Sequence, residues 1–331
     1  MVRFSNFDFR TSPPGRRLRF SGPARSAAAA AALWLGMGVG AVGQFPDGRP
    51  ADDPPPPADA AAGGVKPADE PRPYLEALAE SLAKRRVKLE TVCPSKDSLA
   101  RRVLADYGAM FMAAADVGVP SACVFRDEKE VEAYQKRLSA KSETIGGTTV
   151  KLQAPAMDAL LAAREEARGA GLDITPRGGP TASRRGYADT VGIWKSRVDP
   201  GLKHWQQAGR LSASEAKRVG ALPPREQAVA VLKLEADGLW FCPGFTMSIL
   251  YDVAAPGTSQ HLSMLALDVT EHANPRVREI LYRHGWFQTV RSDRPHFTYL
   301  GVEEAKLPSL GLRKDVLGGQ IFWFPNVEPA K

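Results

Sequence analysis

The sequence predicts an α+β fold, a helical N-terminal part followed by a small antiparallel sheet. Three observations lead there. Apolar residues recur at helical spacing, with capping residues, from Tyr74 to about Gly171. Further helix signals run from Asp199 to Asp237, and most of the short aromatic and β-branched runs come after Leu265. With 331 residues, 44% of them hydrophobic, the chain is long enough for one to three domains and apolar enough for a real core.

At the N-terminus, Arg10, Arg16, Arg17, Arg19 and Arg25 precede an alanine-rich apolar run from Ser26 to Gly43 that ends in Ala41-Val42-Gly43. Residues 1–43 read as an export signal, or alternatively as a retained membrane anchor. Residues 44–73, with Pro54 to Pro57 and many Ala, Asp and Gly, bury too little apolar surface to fold and read as an extended linker. The protein is therefore expected in the periplasm or cell envelope, touching a membrane only through its N-terminal segment.

Residues 74–154 read as a helical N-terminal subdomain. Leu75, Leu78 and Leu82 share a helix face, and Asp127 with Glu130 forms a capping box ahead of Val131 and Tyr134. Thr144 to Gln153, around Gly146-Gly147, reads as a hairpin. Residues 155–331 read as a second, catalytic domain. Met157, Leu160 and Leu161 begin its first helix, Pro200 is expected in a helical first turn, and Ser212 with Glu215 forms another capping box. Asn274 and Pro275 start a later helix that ends at His284-Gly285. Leu265 to Val269 and His296 to Leu300 read as strands, and Phe322 to Pro325 as a closing strand.

Two of these strands carry polar residues that packing alone does not explain. Asp268 interrupts an apolar strand, where a buried carboxylate without a cation is costly. His261 precedes it by seven residues: about 10.5 Å along a helix, or opposite faces of a straight strand. For both to hold one ion the chain must bend between them, with His261 on the loop before the strand. Asp293 stands at the mouth of the other strand and His296 at its start, with Pro295 stiffening the approach. His261, Asp268 and His296 are thus candidate zinc ligands, one ion per chain, and Asp293 is a spare carboxylate to act as base. Ser259 is a candidate to hydrogen-bond a substrate carboxylate or the ligand shell. His204, His272 and His284 have no partner at a metal spacing, and Asp189, Asp252 and Asp315 read as solvated loop residues.

The run S-Q-H-L-S-M-L-A-L-D resembles the S-x-H-x-x-G-x-A-x-D motif of zinc D-alanyl-D-alanine carboxypeptidases of the VanY type, in the lysostaphin, carboxypeptidase and Sonic hedgehog superfamily. Ser259, His261, Ala266 and Asp268 match, and Met264 replaces the glycine. D-R-P-H-F, at Asp293, Pro295 and His296, is similar to the related L-alanyl-D-glutamate endopeptidases of phage lysins. Ser183-Arg184-Arg185-Gly186-Tyr187 resembles the family's arginine and following aromatic, and Thr190 replaces the glutamine that often follows.

The resemblance covers roughly residues 155–305. It implies a hedgehog-like sheet carrying a mononuclear zinc site, a metallopeptidase activity on peptidoglycan stem peptides, and a substrate-carboxylate anchor at Arg185 or, failing that, Arg184. The bond cleaved stays open between carboxypeptidase and endopeptidase, and a binding module without turnover is the third reading.

Other chemistry is weakly signalled. S-x-x-K occurs at Ser81–Lys84 and Ser214–Lys217 without a K-T-G box, on helical segments, and reads as solvated helix face. A net charge of +7 suits anionic wall polymers, and with no nucleic-acid motif beside it no nucleic-acid partner is expected. Cys93 and Cys123 are placed to pair in an oxidising compartment, leaving Cys242 single.

Overall fold

The computed structural model describes residues 71–327, which belong to one compact unit. The expected export segment and nearly all of the linker lie outside the described residues. No helix among the described residues is long and apolar enough to cross a membrane.

Helices dominate the first part. They are α1 (Tyr74–Lys84), α2 (Leu89–Val92), α3 (Ser98–Tyr107) and α4 (Glu128–Gln135). Asp97 caps α3 by accepting from Ala100 N at 3.1 Å, and Asp127 caps α4 by accepting from Glu130 N at 2.8 Å. A disulfide joins Cys93 to Cys123, while Cys242 is buried and unpaired. Strands β1 (Ala140–Ile145) and β2 (Thr148–Gln153) pair antiparallel about Gly146-Gly147. Both glycines have positive φ, as the type I′ form of a two-residue hairpin turn requires.

Helices α5 (Ala154–Gly169), α6 (Tyr187–Gln207), α7 (Ala213–Gly220) and α8 (Pro224–Ala236) follow. Pro200 was expected to open a helix, but it lies inside α6. A mid-helix proline costs about 3 kcal/mol. Here it sits on the exposed face, while Trp194, Val198 and Leu202 form a buried stripe at four-residue spacing that carries the helix through. Ser212 caps α7 by accepting from Glu215 N at 3.2 Å.

The rest of the chain comprises β3 (Ala266–Asp268), α9 (Pro275–Arg283), β4 (Trp286–Phe287), β5 (His296–Tyr299), β6 (Leu312–Leu317) and β7 (Gln320–Pro325). Asn274 caps α9 by accepting from Arg276 N at 2.9 Å. The sheet order is β3-β5-β4, all antiparallel, and β6 and β7 form a separate hairpin. The expected α+β class is therefore observed, with the closing strand extended into a hairpin. Among the described residues the larger hydrophobic core runs from Tyr74 through Val150, Met157 and Leu267 to Trp323, without a break near residue 154, and a smaller cluster gathers Phe125, Val131, Tyr134 and Leu262.

Candidate metal centre

Strand register brings two of the three expected ligands together. Asp268 on β3 is directly opposite His296 on β5, and Ala266 is opposite Thr298, so these four residues share one face. His261 comes from the 3-10 turn Gln260–Ser263 that leads into β3. The chain reverses into the strand at Met264, whose backbone is left-handed at φ 56°. This is where the motif it resembles has glycine, the residue that adopts such a conformation without a Cβ penalty.

The turn is held from several sides. Gln135 Nε2 donates to Leu262 O at 3.0 Å and Gln153 Nε2 to Ser263 O at 2.8 Å. Ser263 Oγ donates to Gln260 O at 2.6 Å. Upstream, Thr190 Oγ1 on α6 accepts from Gly257 N at 3.1 Å. Gly257 has φ 78°, and a Cβ there would come within 2.1 Å of Phe125 O. The chain before Ser259 is thereby pinned between α6 and the segment leading to α4.

Three donor atoms converge. His261 Nε2 is 3.1 Å from His296 Nδ1 and 3.3 Å from Asp268 Oδ1, and His296 Nδ1 is 3.2 Å from the same oxygen. A zinc ion held tetrahedrally by bonds of about 2.0–2.1 Å requires donor separations of about 3.3–3.4 Å. The triangle is within a few tenths of an ångström of that size.

The proton count points the same way. His296 Nε2 lies 2.7 Å from Gln260 Oε1, an amide oxygen that can only accept, so the ring proton belongs on Nε2 and Nδ1 carries a lone pair aimed at the other two donors. The Asp268 carboxylate can only accept. A single proton on His261 Nε2 would be all that separates three electron-rich atoms, so the residues fit a bound cation.

Electrostatics keep the donors in the ligating form. Burial of His261 lowers its pKa to about 4, helped by Arg185 nearby, so the imidazole is neutral at physiological pH. Burial alone would raise the Asp268 carboxyl; its closeness to His261 and then His296 outweighs burial and holds Asp268 well below the usual carboxylate range.

Asp293 is in the same cleft and partly exposed. Its side chain has no hydrogen-bond partner among the described residues. Burial pushes its pKa up to about 6, against the pull of His296 and with repulsion from Asp268. A carboxylate in that range suits proton transfer near neutral pH.

The cleft, of about 170 Å³, also takes in Arg185 and Ser259. Arg185 Nη2 donates to Asp268 Oδ2 at 2.9 Å and its Nε to Thr181 O at 3.1 Å, so this guanidinium touches a candidate ligand. Arg184 is not brought in. Its Nε donates to Gln135 Oε1 at 2.7 Å, and it lines a different hollow with Lys136 and Lys151. His272 contacts Arg177, His284 contacts Glu166 and His204 stacks on Phe245, all apart from the triangle.

Several cleft residues were not foreseen. Asp252, expected to be a solvated loop residue, is ion-paired to Arg197 on α6, and both line the cleft. The segment before residue 154 also contributes, because Tyr107 reaches the cleft from the end of α3. Gln260 is fully buried between two motif residues. Its only sequence signal was a polar residue in a stretch that packs inward.

No family model and no curated protein matches this chain. Among solved structures it is similar to the vancomycin-resistance D,D-pentapeptidase VanY from the VanB-type resistance cassette, a point mutant in complex with Zn(II). The identity is 19%, covering 53% of this chain and 86% of that one, with a TM-score of 0.29. The chemistry of the site in this chain accordingly stands on its own geometry.

Proposed function

We propose that this protein is a zinc-dependent peptidoglycan peptidase, a D-alanyl-D-alanine carboxypeptidase that trims stem peptides. The observation that carries the reading is the His261–Asp268–His296 triangle of zinc-sized edges, with a free carboxylate at Asp293 in the same cleft. The motif resemblance supplies the substrate class.

In this proposal His261 Nε2, His296 Nδ1 and Asp268 Oδ1 hold the ion. Zinc so bound supplies Lewis acidity, polarising a carbonyl and making water easier to deprotonate. Asp293, poised near neutrality, takes the proton from the attacking water and returns it to the leaving amine. Arg185 orients Asp268 by donating to Oδ2, and its Nη1, without a hydrogen-bond partner among the described residues, is available to a substrate carboxylate. Ser259, buried at the cleft wall, offers a hydroxyl to the same carboxylate. Export to the cell envelope completes the proposal. The Cys93–Cys123 disulfide supports it, since such bonds persist in oxidising compartments.

The test is mass spectrometry of purified stem peptides after incubation with the full, zinc-supplemented chain. Loss of one terminal alanine is the expected result. An internal cut would instead assign the endopeptidase activity that D-R-P-H-F resembles, and unchanged peptides would overturn the enzyme reading.

A further inference from the structure

Gln260 is the most completely hydrogen-bonded side chain around the candidate centre, and it is not one of the ligands. Its amide orientation is fixed from both ends. Nε2 donates to Tyr107 O at 2.9 Å, so Oε1 must face the other way. There it meets only potential donors: His296 Nε2 at 2.7 Å, Thr289 Oγ1 at 3.1 Å and the Thr298 hydroxyl. The two hydroxyls lie 2.7 Å apart and can pass one proton between them while the other points to the amide. A flipped amide would set its NH2 against the imidazole and hydroxyls and its oxygen against a carbonyl. All the groups named here are buried, so water cannot substitute for a lost partner.

The consequence is chemical. With Oε1 as acceptor, His296 must carry its proton on Nε2, which leaves Nδ1 as the lone pair facing His261 and Asp268. The same bond fixes the ring's rotation about its Cβ–Cγ bond. His261 has no such aid, because its Nδ1 is buried without a hydrogen-bond partner. The two candidate imidazole ligands are therefore unequal: one is preset by its surroundings and the other is not.

We propose that Gln260 is a positioning residue that presets the tautomer and orientation of His296 for metal binding. From the turn before β3 it is anchored to α3 through the Tyr107 carbonyl, and it acts on His296 rather than on substrate. The proposal rests on the metal-centre reading for its purpose, but the tautomer itself is a property of the metal-free protein. Partners of this kind typically change metal affinity by about 10–100-fold when removed.

Two measurements on the full chain test it. In metal-free protein labelled with ¹⁵N-histidine, the His296 resonances should show a protonated Nε2 and an unprotonated Nδ1. In Gln260→Met, which keeps the volume but removes the acceptor, the Nε2–H preference should be lost, and the zinc affinity measured by chelator competition should fall by about 10–100-fold. A wild-type His296 protonated on Nδ1 would overturn the proposal, as would a folded Gln260→Met protein that binds zinc as tightly as wild type. If the variant does not fold, the wild-type spectrum alone decides. Should wild-type protein bind no zinc while His296 shows the expected tautomer, the metal-centre reading fails, and with it the purpose of the preset tautomer, while the tautomer itself stands.

Discussion

Replacing Asp293 by asparagine should make the metal-free protein more stable while removing its catalytic base. The carboxyl is raised from 3.8 to about 6, first by burial. A carboxyl with a higher pKa in the folded state binds its proton more tightly there, so its contribution to stability falls as pH rises from about 3.8 to about 6. Above that window the whole penalty stands. At 1.36 kcal/mol per tenfold change the penalty is at most about 3 kcal/mol. Asp293 is partly exposed, so solvent screening reduces this to about 1–2 kcal/mol. The asparagine amide carries no charge and escapes the penalty, so the Asp293→Asn variant should gain only about 0.2–0.4 kcal/mol at pH 4 and about 1–2 kcal/mol at pH 7.5.

For a domain of this size that gain is about 2–8 °C in Tm. His261, lowered to about 4, works in the opposite sense, since its stability contribution grows as pH rises from about 4 to about 6.5. It is present in both proteins and cancels in the comparison. The assay is thermal unfolding of chelator-treated wild type and Asp293→Asn at the two pH values, beside peptide cleavage by the zinc-loaded forms, where the rate should drop by about 10²–10⁴. A Tm difference that is absent or negative at pH 7.5 would refute the buried-base argument. Cleavage at the wild-type rate would refute the catalytic assignment.

Three further outcomes follow from the same geometry. His296→Ala removes a donor atom, so both zinc content by elemental analysis and cleavage should be lost; wild-type occupancy would remove His296 from the ligand set. Arg185→Ala should weaken turnover of substrates with a free terminal carboxylate about tenfold or more, whereas Arg184→Ala, which breaks only a bond to Gln135, should not; equal effects in a kcat/KM comparison would contradict the separation of the two arginines. Cys93→Ser with Cys123→Ser opens a loop spanning 30 residues in sequence separation and should cost about 3–4 kcal/mol in the loop-entropy model, read as a lower denaturation midpoint without loss of zinc.

What the sequence disclosed, and what it hid, divides along physical lines. Local signals were readable: Asp127, Ser212 and Asn274 cap helices where their spacing indicated, and Gly146-Gly147 turns a hairpin. The bend between His261 and Asp268 followed from simple periodicity. One local signal misled: Pro200 reads as a residue that opens a helix, but the buried stripe of Trp194, Val198 and Leu202 carries α6 straight through it. Long-range pairings left no local trace. Nothing near Arg185 indicates that it reaches Asp268, nor does anything near Asp252 indicate Arg197. The role of Gln260 depends on a carbonyl 153 positions away in sequence, which only tertiary packing brings close.

The central claim is that His261, Asp268 and His296 hold one zinc ion. Zinc K-edge X-ray absorption on the purified, zinc-loaded protein tests it directly. The account predicts one zinc per chain with two imidazole nitrogens and oxygen donors at about 2.0–2.2 Å and no sulfur. A spectrum showing sulfur ligation or fewer than two imidazoles, or a protein that retains no stoichiometric zinc, would contradict it.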